Sequence, residues 1–249
     1  MFSHIDPNVY DLQLLEKQNN MNTLFEQFNG PEFELFTSPT LNYRQRAEFR
    51  VWHQDDDLYY IMFNSETKQK FRVDEFPVAS VLINDAMKAL RNSIINKPVL
   101  RERLFQVDFL SSLSGELLIS LLYHKQLDEE WQRQAEELKI ELSSIAPVDI
   151  IGRARKQKVI LGKDFINEKL SVGKKEYTYQ QVENSFTQPN AKVNEQMLLW
   201  AQEATKGIGG DLIELYCGNG NFSIALAENF DRVLGTEISK TSVNSAQVT

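Results

Sequence analysis

Apolar positions recur along the chain at two different spacings, and polar turns separate the runs. Helices repeat about every 3.6 residues and strands every two residues, so the two spacings predict helices and strands respectively. The first predicted helix begins at Asp6-Pro7, because an acid caps a helix and proline fits its first turn. Helices are predicted over 6–28, 77–96 and 128–142, and strands over 47–53, 58–63, 70–73, 104–110 and 116–123, with two more within 148–162.

This order of elements predicts an N-terminal α+β domain with a mostly antiparallel sheet over residues 1–185. After residue 190 the pattern becomes typical of a doubly wound fold. "DLIELY" predicts a buried strand, "NFSIALAENF" a short helix and "RVLGTEI" a second strand, which is the β-α-β opening of a Rossmann-like fold. The predicted fold class is therefore α/β, with residues 186–249 as the incomplete start of a second domain. A helix before these strands has its predicted apolar side at Val193, Met197, Ala201 and Ala204.

Composition excludes some classes of protein. The 249 residues are 42% hydrophobic and 25% charged, as in ordinary globular proteins, and no apolar run approaches the roughly 20 residues that span a bilayer. The start lacks the features of a secretory signal, so we expect a cytoplasmic location. Cys217 is the one cysteine, and His4, His53 and His124 are scattered, so no metal site is expected. The net charge of −8 disfavours a basic surface overall but permits a local one.

The glycine turn in "LYCGNGNF" predicts a cofactor site. Gly218 and Gly220 let the backbone approach a ligand, and Glu237 ends the second strand, where an acid can accept hydrogen bonds from ribose hydroxyls. A dinucleotide site would favour a third glycine where Ser223 stands. Glu214 near the end of the first strand is usual in enzymes that use S-adenosylmethionine (SAM), so the spacing favours SAM over NAD. A tight turn without a ligand is the third interpretation.

Cys217 lies beside this turn, and its role is open between a nucleophile and a buried residue that fills space. Free cysteines are commonly buried. No histidine or lysine is adjacent in sequence to lower its pKa, which favours the space-filling role.

Two clusters suggest contact with RNA, because single-stranded loops are recognised by aromatic stacking and by arginine. On the predicted strand 47–53, Arg50 and Trp52 share a face. The alternative is a solvated sheet face with surface ion pairs. The first cluster is Tyr43, Arg44, Arg46, Arg50 and Trp52, and the second is Arg153, Arg155, Lys156 and Lys158.

Six segments, in the same order, resemble the bacterial tRNA (uracil-54-C5)-methyltransferases, which form 5-methyluridine in the T-loop. They are "YRQRAEFRVWH", "LFQVDFL", "SLLYHKQLDEEW", "DIIGRARKQK", "QVENSFTQPNAKVNEQM" and "ELYCGNGNFS". The resemblance implies SAM as the cofactor, the T-arm of tRNA (and of tmRNA) as the partner, no membrane, no metal and a monomer when full length. It places RNA contacts at Arg50 and Phe105. The SAM-binding residues that it implies are Gln188, Tyr216, Gly218, Asn221 and Glu237.

The same resemblance bears on catalysis. The family adds a cysteine thiolate to carbon 6 of uracil, and a base later removes the carbon 5 proton. Both residues follow an Asp-Pro-Pro-Arg motif that is absent from this sequence. We therefore expect both beyond residue 249, no catalytic residue within the chain, and an N-terminal fragment that is inactive alone.

Three alternatives remain. The first is a non-catalytic RNA-binding module from a truncated gene, and the second is a dinucleotide-dependent oxidoreductase. The third is a related rRNA methyltransferase, which a single cysteine disfavours because those enzymes carry a cysteine-bound iron–sulfur cluster.

Overall fold

A computed structural model describes residues 5–248, so His4 lies outside the described residues. A 3-10 turn over Pro7–Val9, capped by the Asp6 carboxylate, leads into the first helix. The helices are α1 (Tyr10–Phe25), α2 (Val81–Ile94), α3 (Pro98–Arg101), α4 (Glu129–Leu142), α5 (Ala191–Ala204), α6 (Asn221–Leu226) and α7 (Lys240–Ala246). The strands are β1 (Arg46–Gln54), β2 (Asp57–Phe63), β3 (Lys70–Val73), β4 (Leu104–Ser111), β5 (Leu117–Tyr123), β6 (Val148–Ala154), β7 (Gln157–Leu161), β8 (Phe165–Val172), β9 (Lys175–Val182), β10 (Asp211–Leu215) and β11 (Arg232–Thr236).

A seven-stranded sheet in the order β3-β2-β1-β4-β5-β6-β7 forms the largest part of the fold. Its neighbouring strands are antiparallel except β5 and β6, which run parallel because helix α4 crosses over between them. The predicted hairpin at Ser114-Gly115 joins β4 and β5, and Gly115 has a positive φ of 87° that suits a tight turn. The prediction of a mixed α/β chain with a mostly antiparallel sheet is confirmed.

Helices α2, α3 and α4 cover one face of this sheet and form the main core with it. Helix α2 begins where the Ser80 hydroxyl accepts a hydrogen bond from the Ile83 N–H at 3.2 Å, and α4 begins where Asp128 accepts from the Trp131 N–H at 2.8 Å. Trp131 is fully buried and packs edge-on against Tyr123, with ring centroids 5.7 Å apart. These contacts join α4 to the centre of the sheet.

The hairpin of β8 and β9 was not predicted from the sequence. In β8, buried side chains alternate with more exposed ones, as expected for a strand. Glu168 is one of the buried residues, and an acid among apolar residues weakens the hydrophobic alternation in the sequence. Burial raises the pKa of Glu168 to about 7, and the Leu113 N–H donates to its carboxyl group at 2.8 Å. The buried apolar residues of β8 are Ile166, Leu170 and Val172.

The predicted apolar side of α5 is largely wrong. Val193 and Met197 are only half-buried and Ala204 is exposed, whereas Ala201 is buried as predicted. The buried face of the helix includes a polar residue, Asn194, whose side chain is paired with Asn221 inside the fold. The buried residues of α5 are Ala191, Asn194, Leu198 and Ala201.

Strands β10 and β11 pair in parallel with α6 between them, which confirms the predicted β-α-β unit. Strand β10 has the apolar composition of a buried strand, but Ile213 and Leu215 are exposed among the described residues. Helix α7 was not predicted, because its buried residues, Ser242 and Ser245, are polar and give no apolar period. The division into domains at 185/186 stays a prediction.

Residues 185–190, which precede α5, are hydrogen-bonded to the start of β1. The Gln45 N–H donates to the Pro189 carbonyl at 2.8 Å, and the Arg46 guanidinium donates to the Ser185 carbonyl at 2.5 Å. Gln45 is itself buried and accepts from the Ser111 hydroxyl at 2.6 Å. The segment before α5 is therefore held by the central strands of the large sheet.

We predict that Gly152→Ala destabilises the fold by about 1–3 kcal/mol, the usual cost of overpacking a core. A Cβ atom at Gly152 would lie 2.2 Å from the Trp131 ring, which is buried and has no room to move. Urea unfolding measures the change. Gly30→Ala is the control, because no atom lies within 4 Å of its added Cβ, and it should change stability by less than about 0.5 kcal/mol. Equal stability of the two variants would contradict this packing.

Candidate functional site

The glycine turn between β10 and α6 has a backbone that favours glycine. Gly218 and Gly220 have φ of 57° and 81°, in the left-handed region. A Cβ atom on Gly220 would also lie 2.8 Å from the Ile224 side chain, so this position is restricted by space as well. Tyr216 also has a positive φ, 59°, and the residue is 88% exposed. The turn therefore holds an exposed aromatic ring beside a tightly bent backbone.

Glu214 supports the turn from inside. Its carboxylate accepts hydrogen bonds from the Ser223 N–H at 2.7 Å and from the Ser223 hydroxyl. A negative charge at the first turn of a helix is stabilising, since the backbone N–H groups there lack partners. The N-terminal end of α6 is thus already bonded to a carboxylate of the same chain.

Glu237, which follows β11, holds the other side of the turn. Its carboxylate accepts from the Gly218 N–H at 3.1 Å and from the Ser239 N–H at 2.8 Å. These backbone donors, with Ser239 first, lower the pKa of Glu237 below its ordinary value. The carboxylate therefore stays ionised at neutral pH and fixes Gly218 against the end of the neighbouring strand.

A cavity of about 330 Å³ lies beside the turn, and four of the five predicted SAM-binding residues line it: Gln188, Tyr216, Gly218 and Asn221. Glu237 is not part of the lining, although it is bonded to Gly218, which is. Strand β9 and helix α5 supply the opposite wall through Tyr179 and Asn194. The fold thus brings together predicted residues that are up to 33 positions apart in sequence, from 188 to 221.

Asn221 is bound into the wall of this cavity. Its side-chain N–H donates to Asn194 Oδ1 at 2.9 Å, and the Asn194 side-chain N–H donates back to Asn221 Oδ1 at 2.8 Å. The Asn221 carbonyl accepts from the Tyr179 hydroxyl at 2.9 Å. The side chain of Asn221 is therefore fixed in one orientation before any ligand binds.

Cys217 is buried, with 9% of its surface exposed. Burial raises the pKa of its thiol, and the charges of Glu214 and Glu237 raise it further, so the reactive thiolate is disfavoured. A Cβ atom on Gly235 would come within 2.9 Å of the sulfur, which shows how closely the side chain fills its space. This environment suits a packing residue and not a nucleophile.

Arg50 and Phe105, the two predicted RNA-contacting residues, meet on the outer side of the large sheet. The Arg50 guanidinium lies 5.5 Å from the centre of the Phe105 ring. His124 stacks on the same ring, with centroids 3.9 Å apart and planes inclined by 10°. Sequence reasoning missed His124 because the contact arises only when β4 and β5 pair and bring Leu104 opposite Tyr123. We call Arg50, Phe105 and His124 the aromatic stack.

The second basic cluster is largely committed to internal ion pairs. Arg153 donates to the buried carboxylate of Glu183 through two nitrogens, at 2.6 and 2.5 Å, and Lys158 lies 3.4 Å from the same carboxylate. These pairs hold the pKa of Glu183 below its ordinary value against the opposing effect of burial. Arg155 and Lys156 are at the exposed turn between β6 and β7. Of the four predicted basic residues, these two make none of the pairs with Glu183 and are available at the surface.

Within residues 5–248, no cluster of three or more histidine, cysteine or acidic side chains could hold a metal ion. No described helix combines the length and the apolar character needed to cross a bilayer.

Comparison with known proteins identifies the family. The model of the family described as tRNA (Uracil-5-)-methyltransferase matches residues 9–249. A tRNA/tmRNA (uracil-C(5))-methyltransferase of Colwellia psychrerythraea is 72% identical over 248 residues, which are 100% of this chain and 68% of that protein. The protein of the same name from Vibrio parahaemolyticus is 59% identical over 244 residues, 98% of this chain and 66% of that one. The chain thus spans about two thirds of the length of these relatives.

A solved structure shares the fold. The tRNA (uracil-54, C5)-methyltransferase of Pyrococcus abyssi, in complex with S-adenosyl-L-homocysteine, superposes with a TM-score of 0.67 at 20% identity. The match covers 96% of this chain and 59% of the other protein. Nearly all of this chain therefore shares its fold with part of the solved structure. With a family model over nearly all of its residues and a relative at 72% identity, the chain belongs to the tRNA (uracil-5-)-methyltransferase family.

Proposed function

We propose that this chain forms the RNA-binding part and the beginning of the SAM site of a cytoplasmic enzyme that methylates carbon 5 of the T-loop uridine of tRNA. Its relatives carry the name tRNA/tmRNA (uracil-C(5))-methyltransferase, so tmRNA is a second substrate in this proposal. The observation that supports the cofactor most directly is the environment of the glycine turn.

The environment of the turn fits SAM better than a dinucleotide. Sites for pyrophosphate use the free N–H groups at a helix N-terminus. Here the Glu214 carboxylate already accepts from the Ser223 N–H at 2.7 Å, so a phosphate at the start of α6 would meet a negative charge. SAM has no phosphate, and its amino-acid portion carries an ammonium group. Among the described residues that line the cavity none is basic, which agrees with a cofactor that has no phosphate.

The proposed SAM-binding residues have separate tasks. Glu237, ionised and fixed at the end of β11, accepts hydrogen bonds from the ribose hydroxyls. Gln188, Tyr216 and Asn221 enclose the amino-acid side of the cofactor, and Gly218 leaves space for it at the turn. When bound, SAM supplies an electrophilic methyl group; the residues of this chain hold and orient it.

The aromatic stack is the proposed contact surface for the T-arm. An RNA base can stack on the Phe105–His124 pair, and the guanidinium of Arg50 lies close enough to contact phosphate or base. A cavity of about 520 Å³ adjoins the stack and includes Arg155, one of the two available basic side chains of the second cluster. The net charge of the chain is negative, so RNA binding in this proposal depends on this local surface.

The proposed reaction also needs a thiolate nucleophile and a general base, which the family resemblance places beyond residue 249. Within the chain, the only cysteine is buried and has a raised pKa. We therefore propose that residues 1–249 bind cofactor and RNA without transferring the methyl group.

We predict that Glu237→Gln weakens binding of S-adenosylhomocysteine (SAH) about tenfold, the effect of weakening a hydrogen bond to a charged group. Isothermal titration calorimetry measures the affinity. Glu203→Gln removes the same charge from an exposed position on α5 and should leave the affinity unchanged. Equal affinities of all three proteins would contradict the assignment of Glu237.

We predict that Phe105→Ala weakens binding of a T-arm hairpin RNA by about 5- to 150-fold, because a stacked base contributes about 1–3 kcal/mol. Arg50→Ala should reduce both the affinity and its dependence on salt. Fluorescence anisotropy over a series of salt concentrations measures both quantities. Phe63→Ala, an exposed phenylalanine near the end of the same sheet, is the control. A comparable loss in that variant would argue against a specific stacking surface.

We predict no transfer of radiolabelled methyl groups from SAM to the hairpin RNA by residues 1–249 alone, although the chain binds SAH. Cys217→Ala removes the one thiol of the chain, which lies in the lining of the cavity, and the variant should retain SAH binding. Methylation by the chain alone would refute the proposed location of the nucleophile. RNA binding without any SAH binding would instead support the alternative of a non-catalytic RNA-binding module.

A further inference from the structure

The structure divides the first predicted basic cluster into side chains that are bonded inside the protein and side chains that are not. Arg44 donates to the Arg46 carbonyl at 2.7 Å, and Arg46 donates to the Ser185 carbonyl and lies 3.4 Å from the Glu48 carboxylate. Arg50 is exposed and takes part in no ion pair within the described residues. Its charge is therefore available to a ligand on the outer side of the large sheet.

Trp52 continues this outer side and holds a cation that comes from a different strand. Trp52 lies two residues after Arg50 on β1, so the two side chains are on the same side of the sheet. The Lys70 ammonium, from β3 at the edge of the sheet, lies 2.9 Å from the centre of the Trp52 ring. This cation–π contact restrains a side chain that is otherwise flexible. Lys70 is exposed and, like Arg50, has no ion-pair partner in the described part of the chain. We call Arg50, Trp52 and Lys70 the basic strip.

Acidic residues limit the basic strip at one end. Three aspartates, at 55–57, share a cavity of about 650 Å³ with Lys70 and Arg72. Asp57 accepts from the Arg91 guanidinium at 2.6 Å and from Arg72 at 3.3 Å, so its charge is compensated. The other two aspartates are exposed at the turn that joins β1 and β2, and they oppose an anion there. An anionic chain that reaches Lys70 therefore crosses the strands from the side of Arg50 and does not run along β1 past the turn.

The width of the sheet determines how long this anionic chain must be. Phe105 is on β4 and Lys70 is on β3, and β1 and β2 lie between them in the sheet. Strands are about 4.8 Å apart, so three spacings separate the two positions by about 14 Å. One base stacked on Phe105 does not span this width. Contact at both positions requires RNA that continues beyond the stacked base.

We propose that the basic strip binds the phosphate backbone of the RNA whose base stacks on Phe105. Lys70 contacts a phosphate, and Trp52 is the positioning residue that holds the Lys70 ammonium over the sheet. This inference rests on the proposed RNA surface at the aromatic stack and extends that surface across β1 and β2 to the edge strand β3. The strip contributes affinity and register but no sequence preference, because phosphate contacts position an RNA and base contacts specify it.

The test measures binding of a T-arm hairpin RNA to Lys70→Gln by fluorescence anisotropy over a series of salt concentrations. Each phosphate that a protein neutralises contributes about 0.7–0.9 to the slope of log affinity against log salt concentration. We expect Lys70→Gln to reduce the slope by about that amount and to weaken binding about two- to fivefold at low salt, the effect of one exposed ion pair. Lys70→Arg should retain both quantities, because arginine keeps the charge and also stacks on aromatic rings.

Variants of Trp52 separate positioning from charge. Trp52→Leu leaves the Lys70 ammonium in place but removes the ring that restrains it, so the affinity should fall about two- to threefold while the slope stays near that of the unsubstituted protein. Trp52→Phe keeps an aromatic face and should restore most of the affinity. A Trp52→Leu variant with unchanged affinity would overturn the positioning role.

The matched control is Lys88→Gln on α2. Lys88 is exposed, lies 3.6 Å from Glu75 and belongs to the helices on the opposite face of the same sheet. Its substitution removes the same charge and should leave the affinity and the slope unchanged.

Three results would overturn the proposal in distinguishable ways. Equal changes of slope in Lys70→Gln and Lys88→Gln would show that only the net charge matters. Unchanged binding by Lys70→Gln, with weakened binding by Phe105→Ala, would remove the basic strip and leave the aromatic stack as the RNA surface. No binding of the hairpin RNA by the unsubstituted protein would contradict the proposed RNA surface itself, and the strip with it.

Discussion

The backbone hydrogen bond between the Gln45 N–H and the Pro189 carbonyl joins the strand of the aromatic stack to the wall of the cavity at the glycine turn. Gln45 immediately precedes β1, the strand that carries Arg50, and Pro189 directly follows Gln188 in the cavity wall. The Arg46 contact to Ser185 adds a second bond to the same segment. The aromatic stack and the glycine turn are therefore held by adjacent stretches of one hydrogen-bonded framework. In the proposed function, this framework sets the distance between the bound RNA and the bound SAM.

The sequence predicted most of the large sheet because its strands alternate and its turns are polar. It failed where a buried row contains a polar side chain. Glu168 interrupts the apolar alternation of β8, and Asn194 places a polar residue on the buried face of α5. The buried residues of α7 are two serines, which give no apolar pattern. In each case the side chain is buried because it has partners or neighbours that only the folded chain supplies, and hydrophobic periodicity carries no information about them. His124, which was missed at the site, has the same origin, since only the pairing of β4 and β5 brings it to Phe105.

Apolar spacing predicted helices and strands better than it predicted burial. Helix α1 forms as its spacing indicates, yet none of its residues is buried. Strand β10 has the composition of an interior strand, but Ile213 and Leu215 are exposed in the described chain. Periodicity reports which side of an element is apolar, whereas burial depends on a second surface being present to cover that side. The predicted SAM-binding residues rest on the family resemblance and not on burial, so this limit does not bear on them.

The reciprocal hydrogen bonds of Asn194 and Asn221 couple the orientations of two side-chain amides in the cavity wall. Rotating either amide by 180° would exchange its oxygen and nitrogen, and each of the two hydrogen bonds, at 2.8 and 2.9 Å, would then join two donors or two acceptors. The two side chains can therefore reverse only together. An isolated asparagine in a pocket can adapt to either a donor or an acceptor on its ligand, whereas this pair cannot adapt one amide at a time. Whatever enters the cavity therefore meets donors and acceptors on the two amides that change only as a pair.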